Sequence, residues 1–247
     1  MKPSISAVHI SKRFPGVVAL SDISIDFYPG EVHALLGENG AGKSTLIKIL
    51  SGVYTPTEGQ VQLGGEPVCF ETPRQALDAG IAVIHQELSI ANDLTVAENI
   101  FLGLEPRSKN GVFVDRKRMN DEAQRVLDMM RVSIRATDVA RDLTAAQQQM
   151  AEIAKVIIHN ARVVVMDEPT SSLSEHEISA LFTQIRTLRE QGVAIIYISH
   201  RLKEIFEICD CATVLRDGCF VTSRRIAGTT EKELVASMVG REMKDYY

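Results

Sequence analysis

Apolar residues recur along the chain in two patterns, one typical of strands and one of helices. Residues 5–27 alternate between apolar and polar side chains, which predicts an antiparallel pair of strands, around Ile5–Lys12 and Leu20–Phe27, joined at Phe14-Pro15-Gly16. Short, continuous apolar runs predict strands that are buried on both faces, as in a parallel sheet. These runs are Val32–Leu36, Ile81–Ile84, Val163–Met166 and Ala194–Ile198.

Helical spacing dominates the middle of the chain. Between about Leu88 and Asn160 apolar residues recur three and four positions apart, as in Val114–Met130 and around Met150–Ile157. Other predicted elements are helices at Thr72–Ala79, Ile178–Leu188 and Thr230–Val239, and hairpins at Gly59–Phe70 and Asp210–Thr222. We therefore predict an α/β fold in one domain of residues 1–247. Its core comprises residues 1–87 and 161–247, and a helical subdomain of about residues 88–160 is inserted between two strands of the sheet.

The apolar run that ends at Leu36 leads into a glycine-rich stretch and then into a helical pattern. The stretch matches G-x-x-x-x-G-K-[ST], a phosphate-binding loop whose backbone N–H groups and following helix N-terminus attract phosphate. Lys43 can reach the β- and γ-phosphates, and Ser44 can offer its hydroxyl to Mg²⁺. The alternative is a glycine-rich turn with a chance lysine. The predicted nucleotide-binding residues are Gly37, Glu38, Asn39, Gly40, Ala41, Gly42, Lys43, Ser44 and Thr45.

Polar residues also follow three other predicted strands, at the end of the strand where α/β sheets place ligand chemistry. They are His85-Gln86-Glu87, Asp167-Glu168 and Ser199-His200. Asp167 can hold Mg²⁺, directly or through water, and Glu168 beside it can polarise an attacking water. For the trio that contains Gln86, a polar cap on a buried strand is the alternative. Phe14 is likewise either a core side chain or a surface on which a base stacks.

Composition narrows the class of protein. A chain that is 45% hydrophobic and 24% charged is ordinary for a soluble globular domain. No apolar run approaches the ~18 residues of a membrane span, and no long apolar stretch follows Met1, so we expect neither a transmembrane segment nor a signal peptide, and a cytoplasmic location. The net charge of −5 and the lack of a basic block argue against a nucleic-acid partner.

The cysteines are Cys69, Cys209, Cys211 and Cys219. The C-x-C pair with a third cysteine nearby invites a metal interpretation. A fourth ligand at a usual spacing is missing, and the cysteines lie in apolar, strand-like sequence. We therefore expect free cysteines in the core or at sheet edges.

Taken together, these motifs resemble the nucleotide-binding domain of ABC transporters, over nearly the whole chain. The resemblance is closest to the ATP-binding proteins of bacterial importers of the ribose, galactose and arabinose type. The end of the chain, Met238–Arg241, is similar to the segment that closes the first of two tandem ATPase domains in those proteins. The resemblance rests on five segments: Gly37–Thr45, His85–Glu87, Gln147–Lys155, Asp167–Leu173 and Ile198–Arg201.

The resemblance implies a P-loop fold with a RecA-like core sheet, an N-terminal antiparallel β-subdomain and an inserted helical subdomain. It implies that Phe14 stacks on adenine, that Ser44, Gln86 and Asp167 attend Mg²⁺, and that Lys43 and residues 37–45 hold the triphosphate. Glu168 would be the general base, and His200 would touch the γ-phosphate. Ser172 and Leu173 would lie in the loop that signals between paired domains.

The family's signature, Leu-Ser-Gly-Gly-Gln, is altered in this chain to Leu143-Thr144-Ala145-Ala146-Gln147. Glycine there lets the helix N-terminus close on the partner domain's γ-phosphate. Each alanine adds a Cβ at that point. We therefore expect the ATP site to which this signature contributes to be weak. The other site, built on Lys43 and Glu168, has all the residues that the resemblance calls for.

The resemblance also implies function and partners. It implies ATP hydrolysis with Mg²⁺ that powers sugar uptake, at the cytoplasmic face of the bacterial membrane. The partners would be a second nucleotide-binding domain, tandem or separate, permease subunits that dock near Gln86 and the helical subdomain, and, indirectly, a periplasmic or extracellular sugar-binding protein. The alternative is a soluble ABC ATPase associated with DNA or the ribosome, which would need a basic face or long coiled-coil insertions.

Overall fold

Two β-sheets and eight α-helices make up the described part of the chain. The structure, a computed structural model, describes residues 1–86, 89–108, 111 and 113–240. The strands are β1 (Ile5–Phe14), β2 (Val17–Phe27), β3 (Val32–Leu36), β4 (Glu58–Leu63), β5 (Glu66–Val68), β6 (Ile81–Ile84), β7 (Val163–Asp167), β8 (Ala194–Ile198), β9 (Cys211–Arg216) and β10 (Cys219–Arg225). The helices are α1 (Lys43–Leu50), α2 (Pro73–Asp78), α3 (Val96–Ile100), α4 (Arg116–Met129), α5 (Ala145–Ile158), α6 (Glu175–Glu190), α7 (Leu202–Ile208) and α8 (Glu231–Val239).

A six-stranded sheet carries the predicted nucleotide-binding loop. Its strand order is β10-β9-β3-β8-β7-β6, and the pairs β9–β3, β3–β8 and β8–β7 are parallel. Every residue of β3 and of β8 is buried, because apolar side chains on both faces of a parallel strand require cover on both sides. The continuous apolar runs therefore predicted the central strands correctly, and the α/β class is confirmed.

The second sheet is antiparallel, with the order β2-β1-β4-β5. Its first hairpin is longer than the sequence predicted. Pairing continues to Phe14 and Val17, so Phe14 ends a strand and does not lie in the turn. Val17 and Val18 are exposed there, and their pairing with β1 depends on backbone hydrogen bonds that side-chain alternation does not reveal.

Side-chain caps set the helix starts. Asp115 accepts a hydrogen bond from the backbone of Arg118, so α4 begins at Arg116, two residues after the predicted start. Helices α3, α5 and α8 begin with capping boxes, in which a threonine and the Glu or Gln three residues later each bind the other's backbone N–H.

The chain divides into two compact units. One contains Met1–Val83, Arg162–Glu168 and the described residues from Ile185 onward, and includes both N-terminal hairpins. The other contains the described residues of Ile84–Ala161 together with Pro169–Gln184. Glu87 and Leu88, at the predicted subdomain boundary, lie outside the described residues, and so does Arg241.

The expectation for the cysteines is met. All four cysteines, each within the described residues, are free; Cys209 and Cys211 are buried, whereas Cys69 and Cys219 are exposed. None of the helices described in the structure combines the length and the apolar character that a membrane crossing requires.

Candidate nucleotide-binding site

The glycine-rich loop connects the carboxyl end of β3 to the first residue of α1. Gly37, Gly40 and Gly42 have φ of 151°, 85° and 100°, in the region that favours glycine. Gly42 is the N-cap of α1 and offers no side chain to the first turn. The N–H groups at the start of α1 are therefore left for a ligand, and the helix N-terminus attracts an anion.

Close packing behind the loop also requires glycine. A Cβ on Gly37 would collide with the carbonyl oxygen of Leu215 in β9. A Cβ on Gly42 would lie 2.8 Å from the carbonyl oxygen of Ala19. The turn after β9 also binds the loop directly, because the N–H of Gly218 donates to the carbonyl oxygen of Ala41 at 3.2 Å. Strands β2 and β9 thus hold the loop from behind.

Lys43 folds back over the loop. Its Nζ donates to the carbonyl oxygens of Gly37 at 2.7 Å and of Glu38 at 3.1 Å, and the residue is only 9% exposed. Burial lowers the pKa of Lys43, against the opposing effect of the Asp167 and Glu168 carboxylates. A largely buried ammonium group held by backbone carbonyls inside an N–H-lined loop fits a phosphate ligand, which would supply the missing negative charge. The hydroxyl-bearing neighbour, Ser44, is exposed at the start of α1.

Asp167, Glu168 and His200 lie together at the ends of adjacent strands. Asp167 is the last residue of β7 and is paired with Ile198, the last residue of β8. The Nε2 atom of His200 lies 2.7 Å from Oε1 of Glu168. The sheet order places β8 between β7 and β3, so these side chains share the sheet edge from which the loop emerges.

The backbone of Glu168 is unusual. Its φ is +48°, a conformation that costs a non-glycine residue roughly 1–2 kcal/mol. Its N–H donates to the carbonyl oxygen of Ile198 at 2.9 Å, and this bond holds the chain in its turn after β7. Strained backbone of this kind concentrates at functional sites, where it aims a side chain.

Gln86 is exposed and follows β6 after one intervening residue. It belongs to the second compact unit, whereas Lys43, Asp167, Glu168 and His200 belong to the first. Its predicted contact with Mg²⁺ remains a proposal.

Phe14 contacts another aromatic residue that the sequence did not single out. Its ring centroid lies 5.4 Å from that of Tyr54, edge to face, and the Nζ of Lys12 lies 5.2 Å from the Phe14 ring centre. Phe14 is half-buried and lies outside the buried hydrophobic core. Tyr54 follows α1, where its N–H donates to the carbonyl oxygen of Lys48. The nearest sequence signal for Tyr54 is its position just after the helix of the phosphate motif.

The altered signature lies at the start of α5. Thr144 caps the helix, and Gln147 completes the capping box, with its Oε1 3.0 Å from the N–H of Thr144. Ala145 and Ala146 are the first two helical residues, and Ala145 is exposed. Alanine is favoured over glycine in such a conformation, so the substitution stabilises this helix start.

Known proteins match this chain over nearly its whole length. The ABC transporter family pattern matches residues 20–171. A protein of Agrobacterium fabrum, provisionally named as a ribose/galactose/methyl galactoside import ATP-binding protein, is 52% identical over 97% of this chain and 47% of its own length. A ribose import ATP-binding protein of Streptomyces avermitilis is 49% identical over 99% of this chain and 48% of its own. The chain thus spans about half the length of these relatives.

Solved structures show the same architecture. A nucleotide-free ATP-binding cassette from an ABC transporter superposes with a TM-score of 0.82, at 25% identity, over 98% of this chain and 96% of the other. A second cassette, in its ADP conformation, gives 0.80 at 25% identity, over 96% and 94%. The loop on β3, the acids after β7 and the histidine after β8 are thus found in a fold shared with these cassettes, and the chain belongs to the ABC transporter family.

Proposed function

We propose that this chain binds and hydrolyses ATP to power the uptake of a sugar through a membrane permease. The observation that carries the proposal is the 2.7 Å contact between Glu168 and His200, on the sheet edge that also bears the Lys43 loop. A base, a γ-phosphate contact and a phosphate cradle are the parts that ATP hydrolysis requires.

Each residue has a separate task in this proposal. Lys43 leaves the carbonyl oxygens of its own loop for the β- and γ-phosphates, while the loop N–H groups bind the other phosphate oxygens. Glu168 accepts the proton of the attacking water, and His200 holds the Glu168 carboxylate in place and contacts the γ-phosphate. The site stays inactive until a second domain covers it.

Mg²⁺ would accompany the nucleotide. Ser44, Asp167 and Gln86 are the residues that would attend it, since hydroxyl, carboxylate and amide oxygens are the ligands that this ion accepts. When bound, the ion neutralises charge on the phosphate oxygens. Burial lowers the pKa of Lys43, and Asp167 lies close enough for its charge to oppose that effect, which fits a site for a cation beside the phosphates.

Sugar as the cargo, and a permease as the partner, are supported by the names of relatives that are 52% and 49% identical. In this proposal the domain works at the cytoplasmic face of the membrane, with the helical region docked on the permease. A second nucleotide-binding domain completes the ATP site, and a sugar-binding protein delivers cargo on the other side.

The test is to assemble the protein with its permease in lipid vesicles and to measure ATP hydrolysis while a saturated sugar-binding protein is added. Ribose, galactose and methyl galactoside are the first candidates. Hydrolysis that rises with one of these sugars, and that disappears in Glu168→Gln, supports the proposal. Hydrolysis that responds to DNA or ribosomes and to no sugar would favour the soluble ABC ATPase instead.

A further inference from the structure

Three side chains with metal-ligating atoms meet away from the nucleotide site. Glu31 precedes β3, His33 lies in β3, and Cys211 begins β9, where it is the direct register partner of His33. All three residues are buried, and one ligand atom from each lies within 4.8 Å of the others. A pocket of about 360 Å³ reaches them from the surface and is also lined by Thr213 and Arg225.

The hydrogen bonds of His33 indicate where its lone pair points. Its Nε2 lies 2.7 Å from the hydroxyl oxygen of Thr213, and that hydroxyl donates to Ser223 at 3.1 Å. With the single hydroxyl proton of Thr213 directed at Ser223, we assign the ring proton of neutral His33 to Nε2. Nδ1 of the neutral ring therefore presents a lone pair.

Among the residues that the structure describes, Nδ1 of His33 has no hydrogen-bond partner, although His33 is only 4% exposed. Oε1 of Glu31 lies 3.6 Å from it, beyond hydrogen-bond distance. A buried polar atom without a partner is costly, and here it faces a carboxylate oxygen and a thiol. The bond from Nε2 to Thr213 is the outer-shell contact that orients a histidine ligand.

The other two groups, Glu31 and Cys211, are in contact with each other. The thiol of Cys211 donates to Oε1 of Glu31 at 2.7 Å. The guanidinium of Arg225 binds the second oxygen, Oε2, at 3.0 Å, and so leaves Oε1 facing His33 and Cys211. A divalent ion would take the place of the thiol proton, with the balance R–SH + M²⁺ → R–S–M⁺ + H⁺.

We propose that Glu31, His33 and Cys211 form a zinc-binding site. Thiolate, imidazole and carboxylate are the ligands that Zn²⁺ prefers, at about 2.0–2.3 Å. Tetrahedral ligand atoms then lie roughly 3.3–3.7 Å apart. The Nδ1–Oε1 distance of 3.6 Å already meets this spacing, and the Sγ–Oε1 distance of 2.7 Å must lengthen when the proton leaves.

Three protein ligands leave a fourth position, which faces the pocket and takes water or an external ligand. The ion would join β3 to β9. Strand β3 leads into the loop at Gly37. The carbonyl oxygen of Leu215 in β9 packs closely against Gly37. The sequence did not predict this site because Cys211 lies 180 residues beyond Glu31 along the chain.

The experiment uses the whole chain, stripped with a chelator, reduced with a phosphine, and free of nucleotide and Mg²⁺. Zn²⁺ is titrated against a chromophoric competitor, and Co²⁺ is added separately as a spectroscopic probe. We expect one Zn²⁺ per chain, together with a thiolate-to-cobalt charge-transfer band and the intense visible bands of tetrahedral Co²⁺.

Matched variants assign the ligands. Cys211→Ser should abolish the charge-transfer band, whereas Cys219→Ser, an exposed cysteine of the same hairpin, should leave band and affinity unchanged. His33→Gln keeps an amide near the Thr213 hydroxyl but removes Nδ1. Thr213→Val should weaken Zn²⁺ binding about 10- to 100-fold, and His33→Gln and Cys211→Ser should weaken it more.

Thermal melting with and without Zn²⁺ checks each variant for folding, since an ion bound only by the folded state raises the melting temperature. If a His33 variant does not fold, Glu31→Gln, which keeps the side-chain shape, replaces it in the comparison. Equal Zn²⁺ affinity in wild type and Cys211→Ser overturns the proposal, and so does a cobalt spectrum without a thiolate band. The cluster is then only a hydrogen-bonded structural element.

Discussion

The Nε2 atom of His200 lies 2.7 Å from Oε1 of Glu168, so two residues that follow adjacent parallel strands are in direct polar contact. The contact places the imidazole against the carboxylate of Glu168, whose backbone is held in a strained turn by Ile198. A base that is fixed from both sides needs little reorganisation when water is activated. The relationship therefore suggests separate roles for the two residues, with Glu168 as base and His200 as the residue that orients it.

Replacing Glu168 by Gln tests the base. The amide can still hydrogen-bond His200 but cannot accept the proton of water, so ATP should bind normally while hydrolysis falls on the order of 10²–10⁴-fold. Binding is measured by titration of the chain, and turnover in the assembled transporter. Unchanged turnover would remove Glu168 from the role of base. Glu175→Gln, on α6, is the control for loss of a carboxylate outside the site.

Replacing Lys43 by Ala tests the phosphate cradle. The loop would lose the cation that now contacts the carbonyls of Gly37 and Glu38. A lost charge-assisted hydrogen bond is worth about 1.5–3 kcal/mol, so ATP affinity should fall about 10- to 100-fold. Titration with Mg-ATP measures it, and Lys203→Ala on α7 is the control. Near-normal affinity of Lys43→Ala would count against the whole site.

Replacing Phe14 by Ala tests the adenine contact. If a base stacks on the half-buried ring, the ATP dissociation constant should rise about 2- to 10-fold, and Phe14→Tyr should restore it. Tyr54→Ala is the companion variant, because Tyr54 packs edge to face with Phe14. It removes a packing partner of the ring and leaves the ring itself available for stacking on adenine. A lower melting temperature with unchanged affinity in Phe14→Ala would show that the ring serves packing alone.

The strands that carry the candidate site were predicted, but the packing contacts around it were not. Local patterns identified β3, β7 and β8 because each is a continuous apolar run, and they identified Lys43, Asp167, Glu168 and His200 because each follows such a run. The contact of Leu215 with Gly37 and of Tyr54 with Phe14 depends on how distant elements pack. Side-chain periodicity along one element carries no information on its neighbours, so these contacts could not be predicted from it.

Glu152 in α5 supplies a prediction on stability and pH. Burial raises the pKa of Glu152, and the nearby charges of Lys155 and His85 oppose this only in part. A carboxyl whose pKa is raised in the folded state binds its proton more tightly there, so its contribution to stability falls as pH rises from its unfolded pKa through its folded pKa. Glu152→Gln should therefore be more stable than wild type at pH 8, with a difference that shrinks as pH falls. Parallel urea unfolding curves at several pH values measure this, and a difference independent of pH would contradict it.

The altered signature supplies the last prediction. The resemblance implies that two such domains pair head to tail, so that each ATP site would join the phosphate loop of one domain to the signature of the other. In this chain Ala145 and Ala146 begin α5 in helical geometry. The resemblance implies that the partner's γ-phosphate would approach this helix start, where each alanine adds a Cβ. Self-pairing of the 247-residue chain would use this weakened contact twice. We therefore expect a monomer with little ATPase activity.

The double substitution Ala145→Gly with Ala146→Gly should favour an ATP-dependent dimer. It is tested in the Glu168→Gln background, where bound ATP is not consumed. Two glycines remove both Cβ atoms but weaken the helix start, by roughly 1–2 kcal/mol together. The glycine form should thus melt at a lower temperature and yet dimerise with ATP, two effects that a purely structural role for the alanines would not combine. Size-exclusion chromatography with and without ATP measures the dimer. Ala236→Gly in α8 is the control for helix destabilisation alone. The result against this prediction would be an ATP-dependent dimer of the chain that keeps Ala145 and Ala146, together with rapid hydrolysis when Glu168 is also kept. It would show that the two alanines do not weaken the contact.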